Sequence, residues 1–208
     1  LACYQMMTAS MLTAADHGRF HDPTWVRTRL HRFADDYFDA LAAYEAQTAV
    51  PAIWQQAHAA AAQPGTMLLQ NLFLGINAHI NYDLVLALVD TLQADWAALP
   101  AETRQARYED HCLVNRIIAE TIDRVQDEVL EPRAPLLALL DWLGGPLDEF
   151  LVAQLISQWR DEVWRRAAEM LTTADPAARD TLRRRIEQTA LDRGRAILGR
   201  RAALAEAE

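Results

Sequence analysis

An all-α fold is predicted, and three observations predict it. Apolar residues recur at helical spacing along most of the 208 residues. Ala, Leu, Arg and Glu are abundant, whereas Gly (seven) and Pro (eight) are few and serve as punctuation. No run alternates β-branched and polar residues as a half-buried strand would. With 51% hydrophobic residues the chain can bury one core, so a single domain over residues 1–208 is expected. It would hold seven or eight helices around a central buried one.

The elements follow in order. Leu1 to about Asp16 carries Leu1, Tyr4, Met7 and Met11 at helical spacing. The loop HGRFHDP ends at Asp22, an N-cap, with Pro23 at the first helical position. The second helix runs to about Gln47 with Trp25, Leu30, Phe33, Tyr37, Leu41 and Tyr44 inward, and Val50-Pro51 breaks it. A short helix spans about Ala52 to Ala62, and the turn Gln63 to Gly65 follows. A long helix is expected from about Thr66 to Leu99, with Pro100 opening the next, Glu102 to Leu130. Pro132 and Pro135 end that one, LLALLDWL makes a short helix, and Gly144 to Pro146 turns the chain. Leu147 to Leu171 is a helix with Phe150, Leu151, Leu155, Trp159 and Trp164 inward. Asp175-Pro176 repeats the cap signal and starts the last helix, which runs to about Ala205, with residues 199–208 expected to fray.

Charge and composition limit the function. A net charge of −9 and a pI near 5.1 argue against nucleic acid or an anionic membrane as partner. All 20 basic residues are Arg, which excludes a catalytic Lys or Schiff base and suggests a GC-rich, actinobacterial genome. Cys3 and Cys112 sit in apolar helical contexts and read as reduced thiols, hence a cytoplasmic protein. No apolar run reaches bilayer length without polar interruption, so no membrane span is expected. The chain begins at Leu1 rather than Met, which leaves an N-terminal signal open.

The segment LFLGINAHINYDLVLAL, Leu72 to Leu88, concentrates the chemistry. It is apolar almost throughout, yet holds Asn77, His79, Asn81 and Asp83. Polar groups there must be hydrogen-bonded, ligated or catalytic. At about 100° per residue, Gln70, Asn77 and Asn81 share one helix face, while His79 and Asp83 fall roughly opposite. His79 and Asp83 can present a nitrogen and a carboxylate to one metal, or form a carboxylate-oriented base. Asn77 and Asn81 can then position a carbonyl or stabilise an oxyanion, with Gln70 and Tyr82 beside them. The packing alternative pairs Asp83 with a buried Arg, gives His79 a backbone carbonyl and bonds the asparagines across helices.

Other clusters are weaker. Asp16, His17, His21 and Asp22 gather in a loop that reads first as a cap with solvated histidines. Asp110, His111 and Asn115 lie on one helix. Asp110 can complete a metal set with His79 and Asp83, and Asn115 can turn inward to substrate. Asp36 lies beside the apolar stripe of the second helix, and Arg183 to Arg185 read as a solvated face. No phosphate loop, Gly-x-Ser-x-Gly, Cys-x-x-Cys or dinucleotide fingerprint is present, so neither nucleotide nor flavin is expected.

FHDPTWV, FADDYFDALAAY, PAIWQQAH, LLQNLFLGINAHINYDLVLAL, HCLVN and QWRDEVWRRAAEML together resemble the actinobacterial family catalogued as domain of unknown function 5995. The likeness runs in order over nearly the whole chain. It implies that Asn77, His79, Asn81, Asp83 and Asn115 occupy family motif positions, and it implies no activity. Tyr82 stands where many relatives are expected to have a basic residue, and His111 where they have an aromatic. A looser likeness joins the His-x-x-x-Asp helix to the zinc-binding helix of zinc-dependent phospholipase C. That site needs further His and Asp ligands, which have no assigned counterparts here.

Two functions remain open at this point. One is an enzyme of secondary metabolism acting on a small molecule in an interhelical pocket, by hydrolysis or redox-neutral elimination or cyclisation. His79 would be base or ligand, Asp83 its orienter or co-ligand, and a divalent metal such as zinc the candidate cofactor. The other is a non-catalytic helical module that binds a ligand, a protein or a second copy of the chain as a homodimer, with the polar cluster serving packing.

Overall fold

The computed structural model describes residues 2–125 and 149–205. It is all-α, with seven helices and no strand among the described residues: α1 (Ala2–Asp16), α2 (Pro23–Glu45), α3 (Ala52–Ala61), α4 (Leu68–Leu92), α5 (Ala101–Val125), α6 (Glu149–Thr172) and α7 (Pro176–Ala205). The expected LLALLDWL helix, the breaks at Pro132 and Pro135 and the Gly144–Pro146 turn lie outside the described residues. α4 stops at Leu92, short of the expected Leu99.

Capping explains the starts. Asp22 Oδ1 accepts the Trp25 N–H at 2.9 Å just before Pro23, as its sequence position predicts. Asp175 Oδ1 and Oδ2 accept the N–H groups of Ala177 and Ala178 at 3.1 and 3.2 Å ahead of α7. Gly18, in the loop after α1, has φ +65°, a left-handed conformation that glycine adopts without a Cβ clash.

The chain clusters into two compact units, Leu1–Leu30 with Ala98–Glu162 and His31–Ala97 with Val163–Glu208. In the first, α1 packs on α5. Met11, Ala14, Ala15, Leu113, Val114 and Ile117 are buried there. In the second, α3, α4 and α7 pack on one another around Ile53, Leu74, Leu84, Leu88 and Ala190.

From residue 152 on, α6 buries a different stripe from the expected one, and the expected inward side chains of Phe150 and Leu151 lie outside those described. Ile156, Arg160, Val163, Ala167 and Met170 are buried, whereas Leu155, Trp159 and Trp164 are half-buried. The large amphipathic indoles lie along the margins of the stripe. An arginine, which composition would place outside, occupies its centre.

α4 is 25 residues long and apolar enough to cross a bilayer by length and composition, which the polar interruptions in its sequence did not suggest. Of its most apolar 18-residue window, 61% is buried inside the structure.

Candidate functional site

α4 is not a regular helix throughout. Residues His79–Asp83 form a π-turn, in which the Leu84 N–H bonds to the His79 carbonyl five residues back. Such turns occur mostly as single insertions in α-helices, frequently at functional sites. Here the π-turn coincides with His-Ile-Asn-Tyr-Asp, the most polar part of the helix.

The two faces separate as the spacing predicts. Gln70, Asn77 and Asn81 face α7. Gln70 Nε2 donates to the Ile197 and Leu198 carbonyls at 3.1 and 3.4 Å, while its Oε1 accepts the Met67 N–H at 3.1 Å. Asn77 Nδ2 donates to the Ala190 carbonyl at 2.8 Å. Asn81 Nδ2 donates to Asn77 Oδ1 at 3.0 Å, and Arg193 donates to Asn81 Oδ1 at 2.6 Å. The Tyr82 hydroxyl accepts from Arg183 at 3.4 Å, while Arg183 to Arg185 are exposed as their sequence context suggests. These bonds clamp α4 to α7 through protein partners, the cross-helix arrangement of the packing alternative.

His79 and Asp83 lie on the other face. His79 Nδ1 is 3.1 Å from Asp83 Oδ2, and the side chains are 12% and 3% exposed. Trp54 Nε1 on α3 donates to both carboxyl oxygens, at 3.1 and 3.0 Å. An indole therefore partners Asp83, in place of the expected buried Arg. The His79 imidazole stacks on Phe33 of α2, with centroids 3.5 Å apart and planes at 9°. Tyr37 meets His79 edge-on at 5.8 Å and Trp54 at 5.3 Å. The aromatic wall continues through His58, stacked on Trp54 at 5.5 Å and on Tyr44 at 4.5 Å, and Tyr44 is exposed.

Burial pushes the Asp83 carboxyl up to about 8, against the opposing effects of the Trp54 hydrogen bond and the Arg32 charge. Asp36 of α2 is a second carboxyl acting on the same field. Burial, joined by the Asp83 and Asp90 charges, pushes it up to about 6, although Arg32 donates to its Oδ1 at 2.6 Å. Asp36 Oδ2 is buried and accepts no hydrogen bond among the described residues. The direction of this bond follows the state of Asp83: a protonated Asp83 donates to His79 Nδ1, and an ionised one accepts from it.

The expected metal set is not assembled. Among the described residues no group of three or more His, Cys, Asp or Glu side chains is arranged to hold a metal. Asp110, the expected third ligand, belongs to the first unit and accepts the His21 and Asp22 N–H groups, both at 2.8 Å. His79 and Asp83 alone leave a divalent ion without a coordination shell. Asn115 also lies in the first unit, where its Oδ1 accepts from Arg160 Nε at 2.6 Å. A groove of about 580 Å³ opens at the α6–α7 turn, lined by Thr173, Asp175 and Leu182 among others. His79 and Asp83 do not line it.

Several site residues escaped sequence reasoning. Phe33 and Tyr37 were legible as core but not as walls around an imidazole, and Trp54 was not singled out at all. Arg193 was hidden among twenty arginines, although it falls one turn beyond Ala190 on the buried stripe of α7.

Fold and site together define an all-α protein with an imidazole–carboxyl pair on a π-turn, walled by aromatic rings. The model of a family of unknown function, DUF5995, matches residues 1–200, and the chain belongs to that family. No curated protein and no solved structure matches it.

Proposed function

We propose that the protein is a small-molecule enzyme in which His79 and Asp83 move a proton. The observation that carries the reading is the imidazole–carboxyl hydrogen bond of 3.1 Å, held between a stacked phenyl ring and an indole donor. Nδ1 is committed to Asp83, so proton exchange with a ligand runs through Nε2. Asp83 fixes the ring orientation: protonated, it donates to Nδ1 and leaves Nε2 to donate to a ligand, and ionised, it balances charge on the imidazole as the ring gains a proton. Asp36 and Asp83 have carboxyl values pushed to different levels, about 6 and about 8, the pattern by which two like groups take different protonation states near neutral pH. Phe33, Tyr37 and Trp54 wall the imidazole with aromatic rings. The chemistry is hydrolysis or redox-neutral elimination or cyclisation, with no step assigned to a metal.

A second reading has its own observation. Gln70, Asn77 and Asn81 bond to protein groups of α4, α7 and the α4 N-terminus. On that reading the constellation is a helix clamp, and the protein is a non-catalytic binding module.

Diethyl pyrocarbonate separates the two. Carbethoxylation of each histidine is followed by mass spectrometry on native wild type and Asp83→Asn. His79 Nε2 is buried, so the enzyme reading predicts that native His79 reacts more slowly than exposed His17 yet well before unfolding, and that Asp83→Asn slows it further. Protection of His79 until the protein unfolds would overturn it.

A further inference from the structure

The first unit holds a second polar interior that this chemistry does not use. His111 of α5 is fully buried, and its Nε2 donates to the Arg160 carbonyl at 2.9 Å. That bond leaves Nδ1 as the acceptor, and two guanidiniums approach it: Arg29 at 3.4 Å and Arg160 at 3.5 Å. Burial and the two neighbouring charges hold His111 well below its ordinary value, so the ring is neutral.

The two arginines differ in how they are held. Arg160 donates to Asn115 Oδ1 at 2.6 Å and to the His111 carbonyl at 3.2 Å. Arg29 is 2% exposed and lies over the Trp25 ring at 4.6 Å. Its long contact with His111 is its single hydrogen bond among the described residues. A guanidinium has five N–H donors, and this one contact is the hydrogen bond that those of Arg29 make among the described residues. Neither arginine has a carboxylate within ion-pair distance among the described residues. Asp110 acts on Arg29, and Asp161 on Arg160, only through space, and both oxygens of Asp110 already accept backbone N–H groups. Burial lowers the two guanidiniums to about 10 and about 9, values at which both are still cations at neutral pH.

Two buried cations thus converge on a neutral ring with no anion in contact among the described residues. A buried charge without a partner is costly, and a planar guanidinium fork matches the two oxygens of a carboxylate or phosphate. We propose that Arg29 and Arg160 form a binding site for a small oxyanion, a carboxylate or phosphate group, with Arg29 as its forked donor. Trp25 orients the Arg29 plane, and the His111–Asn115 pair fixes Arg160. The anion is either free in solution or the charged end of an organic ligand, and both present the same oxygens.

Thermal unfolding of the full chain tests this, in inorganic phosphate and in acetate, each against sodium chloride of equal ionic strength. A ligand of the folded state raises the midpoint along a saturating curve. The expected result is such a curve for at least one anion, with affinity weakened about tenfold in Arg29→Gln. Saturation by phosphate alone assigns the phosphate class, and saturation by acetate alone the carboxylate class. If Arg29→Gln does not fold, the Arg29 15Nε resonance of wild type decides, since it must shift on titration with the same anion. Responses no larger than in chloride, an unchanged affinity in Arg29→Gln, or a static Arg29 resonance would overturn the site.

Discussion

Asp83 is 2% exposed, and its burial favours keeping a proton on the carboxyl against the opposing effect of the Trp54 N–H. Asn77 makes the opposite case, because its amide closes a chain from Arg193 through Asn81 to the Ala190 carbonyl. Truncating Asn77 to Ala strands the Ala190 carbonyl and the Asn81 amide, and should cost about 1–3 kcal/mol by urea denaturation. Asp83→Asn should cost less, because it removes a carboxyl whose ionisation burial opposes and retains polar atoms for Trp54 and His79. Equal losses would place both residues in one structural cluster. The polar residues of α4 were legible because they interrupt an apolar run, and their division into two faces followed from helical spacing alone. Arg29 and Arg160 were not, since arginine is normally solvated and only their positions on the buried stripes of α2 and α6 distinguish them. The partners of Asp110 were equally hidden: a sequence does not show that a loop will place two backbone N–H groups on a distant carboxylate.

Helix boundaries were read well where side chains make the caps, at Asp22-Pro23 and Asp175-Pro176. They were read poorly where tertiary packing decides, as at the end of α4. The π-turn had no signal in the hydrophobic pattern, because one inserted residue leaves both flanking stripes intact. Two glycines test the packing of these helices. Gly75 of α4 has open space where a Cβ would stand. Gly75→Ala should therefore stabilise by about 0.5–1 kcal/mol through helix propensity. A Cβ at Gly194 of α7 would sit 1.9 Å from Gln56 Oε1 of α3, and the amide would have to leave its 3.4 Å bond to the Leu191 carbonyl. Gly194→Ala should gain little or lose stability alone, yet stabilise in a Gln56→Ala background. A thermal-unfolding double-mutant cycle checks this, and additive effects would contradict the contact.

The whole molecule carries an acidic surface, and its carboxyls set its response to pH. The folded protein keeps a proton on Asp83 up to about pH 8, whereas an unfolded chain releases it near 3.8. Asp36 does the same over the narrower window up to about 6. Folding therefore takes up protons in these windows, and the contribution of both groups to stability falls as pH rises through them. Denaturation at pH 5 and pH 8 should show the loss, and Asp83→Asn should flatten it above pH 6. A wild-type curve that rises from pH 5 to 8, with the same shape in Asp83→Asn, would contradict the burial argument.

The hydrogen bond between His79 and a carboxyl that burial keeps protonated is the centre of the account, and 15N NMR of the His79 imidazole from pH 5 to 9 tests it most directly. The account predicts an inflection near pH 8 in the Nδ1 resonance as Asp83 ionises, abolished in Asp83→Asn. An Nδ1 resonance with no inflection near pH 8, or one unaltered by Asp83→Asn, would contradict it.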